Sequence, residues 1–188
     1  GMTTSTVSYQ WKRDSVAIDG ATSSTYTLVQ SDVGAAITVT ASYTDDFGQA
    51  ESVTSSATSS VANVNDSPAG TVTISGTATQ GQELTASNDL TDEDGMTTST
   101  VSYQWKRDNV AIDGATSSTY TLAQADVGAA ITVTASYTDD FGQAESVDSS
   151  PTSAVTNVND SPAGTVTISG TATQGQELTA SNDLTDED

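Results

Sequence analysis

The sequence has no cysteine and no histidine, and only four basic residues against 25 acidic ones. Without cysteine there are no disulfides and no thiolate metal sites. Without histidine the commonest general base and a leading transition-metal ligand are gone. Paired carboxylates remain the only acid–base candidates, so we expect no enzyme. A formal net charge of −21 excludes electrostatic attraction to nucleic acid or an anionic membrane. It suits solubility and divalent cations instead. No apolar run is long enough to span a bilayer, and nothing reads as a signal peptide. Low hydrophobicity with high charge also marks disordered chains. Here, however, the apolar residues alternate regularly and come with two Trp and six Tyr, which points to folded β structure. A secreted domain without disulfides draws its stability from elsewhere, and bound metal is one source.

What is present is a repeat. Residues 1–94 and 95–188 align without a gap and differ at seven positions: Ser15/Asn109, Val29/Ala123, Ser31/Ala125, Thr54/Asp148, Ala57/Pro151, Ser60/Ala154 and Ala62/Thr156. Near-identity of this kind is expected of a tandem array in which each copy does the same mechanical job. An acidic connector, Asn63-Val64-Asn65-Asp66-Ser67-Pro68-Ala69-Gly70, returns as Asn157-Val158-Asn159-Asp160-Ser161-Pro162-Ala163-Gly164. If connectors mark the boundaries, 1–64 is the later part of one split domain, 65–160 a complete domain, and 161–188 the two-strand beginning of a further split domain. Gly1-Met2 recurs as Gly95-Met96, so the chain reads as a piece of a longer array.

The complete domain reads as strands only. Period-two alternation predicts strands over 71–77, 83–90, 101–107, 110–112, 119–122, 130–137 and 144–158. Turns fall at 80–82, at Asp108-Asn109 and at Asp113-Gly114, with a corner over 124–128. About seven short strands with turn chemistry between them favour an all-β, antiparallel sandwich. Trp105 and Trp11 read as core residues, and Lys12-Arg13 and Lys106-Arg107 as solvated strand ends.

In an immunoglobulin-like sandwich, alternate loops lie at opposite poles. Asn65-Asp66, Asp92-Glu93-Asp94 and Asp139-Asp140 then share one pole of the complete domain. The corner holding Asp126 lies at the other, beside Asn159-Asp160. Ca²⁺ takes six to eight oxygens at about 2.3–2.6 Å from flexible carboxylates, amides and carbonyls. We therefore expect Ca²⁺ ligands among Asn65, Asp66, Asp92, Asp94, Asp139, Asp140, Asn159 and Asp160. Asp45, Asp46, Asp186 and Asp188 are their counterparts at a completed pole with Asp160. Asp126, with its counterpart Asp32, suits cation binding and turn chemistry equally, and Asp89 fits either. For Asp14, Asp19, Asp108 and Asp113 turn chemistry suffices.

The pattern Tyr103-Gln104-Trp105-x-Arg107, Ile112-x-Gly114-Ala115-Thr116, Thr119-Tyr120-Thr121-Leu122, Asp126-Val127-Gly128 and Ile131-Thr132-Val133, joined by Asn157-Val158-Asn159-Asp160, resembles the Ig-like tandem extender repeats of giant bacterial RTX adhesins. The resemblance covers the whole chain. It implies an extracellular protein on a bacterial cell surface, exported by a type I system. In such proteins many repeats hold ligand-binding domains away from the cell, and Ca²⁺ at the linkers rigidifies the array. The nonapeptide RTX repeat, a membrane anchor and a ligand-binding domain are absent from these residues.

The competing reading is a binding module for sugar or ice, prompted by Thr71-x-Thr73 and Thr132-x-Thr134. Exposed strand threonines explain the same pattern. The expected partners are neighbouring repeats of the same protein, with no nucleic acid and no membrane insertion by this segment. A two-stranded piece such as 161–188 does not stand alone, and 1–64 lacks those same strands. Head-to-tail association of the split domains is therefore expected.

Overall fold

The structure, a computed structural model, describes residues 6–188. The chain divides into two units, Gly1–Asp66 and Ser67–Asp188. Among the described residues every regular element is a strand or a three-residue 3-10 turn.

The first unit is one antiparallel sheet. It contains β1 (Ser8–Arg13), β2 (Val16–Ala17), β3 (Ile37–Thr44) and β4 (Ala50–Thr54), in the order β2-β1-β3-β4. In the second unit, β5 (Val72–Ser75), β6 (Glu83–Asn88) and β9 (Thr119–Thr121) make one sheet, ordered β5-β6-β9. β7 (Ser102–Arg107), β8 (Val110–Ala111), β10 (Ile131–Thr138) and β11 (Ala144–Asp148) make the other, ordered β11-β10-β7-β8. β12 (Val166–Gly170) and β13 (Leu178–Asn182) form a hairpin that pairs only with itself among the described residues. β1, β3 and β4 recur as β7, β10 and β11 exactly one repeat length further on, with matching strand partners.

The alternation in β10 explains the packing. Ile131, Val133, Ala135 and Tyr137 are buried on one face, against Leu84 and Ala86 of β6, Val72 of β5 and Trp105 of β7. Each fully buried Leu, Ile or Val side chain contributes about 1.5–3 kcal/mol. Trp105 is the centre of this core. It is fully buried, its ring stacks on Tyr120 at 5.7 Å between centroids, and its indole N–H donates to Ser117 O at 2.9 Å. Between β7 and β8 the turn residues Asp108 and Asn109 both have positive φ, 45° and 67°, as the right-handed twist of a two-residue hairpin requires. Gly76, at φ 117°, lies so close to the β6 backbone that a Cβ would sit 2.6 Å from Glu83 O.

The final strand departs from expectation. The regular ladder of β11 stops at Asp148 instead of running to Val158. Beyond it, Ser149 N donates to Val133 O, Thr152 N to Ile131 O and Val155 N to Ala129 O. The tail thus advances three residues for every two of β10. The β10 amides left over are taken by hydroxyls: Val133 N donates to Ser149 Oγ at 3.0 Å, and Ile131 N to Thr152 Oγ1 at 3.1 Å. Side-chain oxygens here replace backbone carbonyls in the ladder, which also accommodates Pro151, a residue with no N–H to give. Ser55 and Thr58 make the same substitutions for Val39 and Ile37 in the first unit.

Candidate metal centre

At one pole of the second unit, two acidic loops are stitched together. Asp140 N donates to Gly95 O at 3.2 Å, and the Tyr137 hydroxyl donates to Asp92 Oδ2 at 2.5 Å. Burial first, and then the bond to Asp92, push the Tyr137 phenol far above its ordinary value. Asp92 Oδ1 accepts Asp94 N at 2.9 Å, shaping the loop from within. Gly95 follows at φ 87°, where a Cβ would collide with the Asp140 carboxylate. Only glycine lets the loops approach this closely.

The aspartates of this pole are used differently. Asp140 is held by Thr97 and Thr98, each through its backbone N–H and its hydroxyl. These bonds, the Thr97 hydroxyl first, draw its carboxyl below the usual range. Asp139 Oδ1 accepts Phe141 N at 2.9 Å and Gln143 N at 2.7 Å, forming the turn between β10 and β11. Its other oxygen, Oδ2, is buried and receives no hydrogen bond. Asp94 is buried as well, at 2% exposure. Asp45, the counterpart of Asp139, forms the same turn in the first unit with Phe47 N and Gln49 N. Asp46 sits exposed beside it.

The second connector is tied on both sides. Val158 N donates to Gln80 Oε1 at 3.0 Å, and Gln80 Nε2 donates to Asp160 Oδ2 at 3.2 Å. From the terminal hairpin segment, Asp188 accepts Asn157 Nδ2 at 2.7 Å and Asp160 N at 3.1 Å. Asp186 Oδ1 accepts Asp188 N, and Asn159 Nδ2 caps Asp160 O. Asp160 and Asp188 are thereby brought together, with Gln80 as a third oxygen-bearing neighbour. Gln80 had no signal beyond its place in a turn, because its partner lies 80 positions away. In the first connector, Asn65 Nδ2 caps Asp66 O in the same way.

Asp126 and Asp32 are each held in an ion pair with an arginine. Asp126 is fully buried and accepts Arg107 Nε at 2.7 Å, the Tyr120 hydroxyl at 2.8 Å and Ala123 N at 2.8 Å, with Arg107 Nη2 also 2.5 Å from Oδ1. Asp32 is held identically by Arg13, Tyr26 and Val29 N. Burial opposes its charge, but the Val29 amide, Arg13 and Tyr26 outweigh that and lower its pKa. A carboxylate already neutralised by a guanidinium has no electrostatic need of a metal ion. Arg13 and Arg107 are accordingly clamps, not solvated strand ends. Asp89 latches the hairpin base through Thr71 N and Oγ1.

Thr132, at 8% exposure, is no part of a solvent-facing ladder, and the Thr134 hydroxyl is bound by Asp148. Asp148 also pairs with Lys106 at 3.1 Å, whereas Thr54 at the same repeat position meets Thr40 hydroxyl to hydroxyl.

Among the described residues no three acidic side chains converge on one ion-sized point. Calcium does not require that, since carbonyl and amide oxygens complete its shell. The orphaned, buried Asp139 Oδ2 is an oxygen that such a mixed set could use. No family model, curated protein or solved structure matches this chain.

Proposed function

We propose that this chain is a structural spacer, a segment of a cell-surface adhesin whose repeats hold ligand-binding domains away from the cell and are stiffened by Ca²⁺ at their joints. One observation carries the reading: Asp139 keeps a buried oxygen with no donor, at the pole where the two acidic loops meet. A buried carboxylate oxygen left without a partner costs about 1–3 kcal/mol or more, and a divalent cation relieves that cost. Asp139 Oδ2, completed by carbonyl and amide oxygens of the two loops, would hold an ion at this pole, and Asp160 with Asp188 at the connector. The bound ion supplies positive charge among carboxylates that otherwise repel one another. The repeat supports the same reading, since near-identical copies suit a mechanical role.

The test is Asp139→Asn. The amide keeps an oxygen for Phe141 and Gln143 but removes the charge. Calcium should raise the melting temperature of the wild type. The variant should bind Ca²⁺ at least about tenfold more weakly, as loss of one ligand charge tunes such sites. Equal Ca²⁺ responses in calorimetry for both proteins overturn the assignment.

A further inference from the structure

Among the described residues every strand ladder is antiparallel, and each parallel bridge is made by the tail after β11 or by its counterpart after β4. In the second unit the tail is bridged on both sides at successive residues. Val155 pairs with Val127: Gly128 N donates to Val155 O and Val155 N to Ala129 O, both at 2.9 Å. Thr156 pairs with Thr79: Thr156 N donates to Ala78 O and Gln80 N to Thr156 O, again at 2.9 Å. Side chains reinforce the second bridge. The Thr156 hydroxyl donates to Ala78 O at 2.9 Å and lies 3.0 Å from Thr79 Oγ1, while Gln80 Oε1 accepts Val158 N at 3.0 Å.

Strand direction gives this patch a mechanical meaning. Ala69 pairs with Thr91 at the pole of the acidic loops, and β5 carries the chain away from that pole to Ala78 and Gln80. β11 starts from the same pole, after the Asp139 turn, and its tail runs along Val133, Ile131 and Ala129 to Thr156. The two paths therefore run side by side in one direction. For most of their length they are not bonded to each other: Val72, Thr73 and Ile74 line one side of an open groove of about 230 Å³, and Ser150, Pro151 and Thr152 the other. The backbone hydrogen bonds that join the paths are the two at Thr156.

We infer that the Thr156 bridge is a shear lock, the element that resists unfolding when the domain is drawn out end to end. The inference rests on the spacer reading, in which tension enters the domain at Ser67 and leaves at Asp160. Tension then draws the path through β5 back toward the acidic pole and the tail forward, out of the opposite pole. Because the paired segments are parallel, the bonds at Thr156 lie across the pull and share the load, so they break in one step. A hairpin drawn apart from its open end releases its bonds singly. The Val155 bridge on the tail's other edge keeps the tail from swinging aside. Position 156 is also one of the seven that differ between the copies, with Ala62 at the equivalent place. Alanine has no hydroxyl to give, so the two copies carry locks of different strength.

Constant-force pulling of the full chain in EDTA tests this apart from calcium, through thiol handles that a cysteine-free sequence leaves unambiguous. Handles at Ser67→Cys and Ser161→Cys load the bridge in shear. Handles at Gln82→Cys and Ser161→Cys pull from one pole and peel the tail away. Forced unfolding reads the unfolding rate, so at equal force the sheared domain should outlive the peeled one by about tenfold or more. Thr156→Ala, which installs the residue of the other copy, should shorten the sheared lifetime about fivefold, the rate equivalent of one hydrogen bond. The peeled lifetime should hardly change, and Thr156→Ser, which keeps the hydroxyl, should behave as wild type. Trp105 fluorescence in a Trp11→Phe background checks that each variant is folded. Equal lifetimes in the two pulling directions, or a sheared Thr156→Ala lifetime equal to wild type, overturns the inference. A domain that holds in shear in EDTA supports the lock even where calcium leaves the chain's stiffness unchanged, a result that counts against the calcium-stiffened spacer alone.

Discussion

Replacing Asp126 by Ala removes one carboxylate and strands three donors: Arg107, the Tyr120 hydroxyl and Ala123 N–H. Hydrogen bonds to a charged group are worth about 1.5–3 kcal/mol each, and deleting one partner of a buried ion pair costs about 3–5 kcal/mol. Arg107 discounts this figure, because its side chain is 33% exposed and can turn into water. A loss of about 3 kcal/mol remains, a large share of the roughly 5–15 kcal/mol that holds a domain folded. At a urea slope of about 2 kcal/mol/M the midpoint falls by about 1.5 M. Fluorescence in a Trp11→Phe background follows Trp105 alone, and so the second unit. Because Asp126 answers to a guanidinium, the loss should be equal in EDTA and in calcium. Unchanged stability in EDTA, together with a lost calcium response, would refute the clamp and restore Asp126 as a metal ligand.

Ser149→Ala should cost about 1–3 kcal/mol, because it leaves the buried Val133 N–H with no acceptor, whereas the same change at nearby exposed Ser150 should have little effect; urea midpoints compare the two. Acid sensitivity follows from Asp32, Asp89, Asp140, Asp148 and Asp183, whose carboxyls all lie below their ordinary value in the fold. The stability they contribute is full above the unfolded value of about 3.9 and is lost as pH falls through their lower folded values, so circular dichroism should show no loss from these groups until below about pH 4. At the alkaline limb the raised Tyr120 and Tyr137 phenols stabilise the fold below the ordinary tyrosine value of about 10 and cease to do so as pH climbs through their folded values. Absorbance titration should find those two phenols ionising only with unfolding.

The strands were legible because each buries one face, and burial writes itself as period two: β10 reads directly from Ile131, Val133, Ala135 and Tyr137. The two-residue turn at Asp108-Asn109 was legible for a local reason, since both residue types tolerate positive φ. The tail after Asp148 was not. Its three-for-two pairing depends on hydroxyls of Ser149 and Thr152 reaching a neighbouring strand, and in sequence these are ordinary strand residues. At the poles, nearness of the acidic loops followed from topology, but the division of labour did not. Asp139 and Asp140 are adjacent in sequence, yet only Asp139 keeps an unbonded buried oxygen, because Thr97 and Thr98 enclose its neighbour. The Arg107–Asp126 clamp has one signal in the sequence. With a single arginine per repeat among so many acids, a guanidinium placed next to a strand that enters the core selects the carboxylate that burial would otherwise penalise.

The central claim is that calcium sets the stiffness of the joints. Small-angle scattering of the chain measures this directly in EDTA and in millimolar Ca²⁺. The account predicts a longer maximum dimension and a narrower distribution of conformations with calcium, reversed by chelation and lost in Asp139→Asn combined with Asp160→Asn. Identical scattering profiles in EDTA and calcium would contradict it.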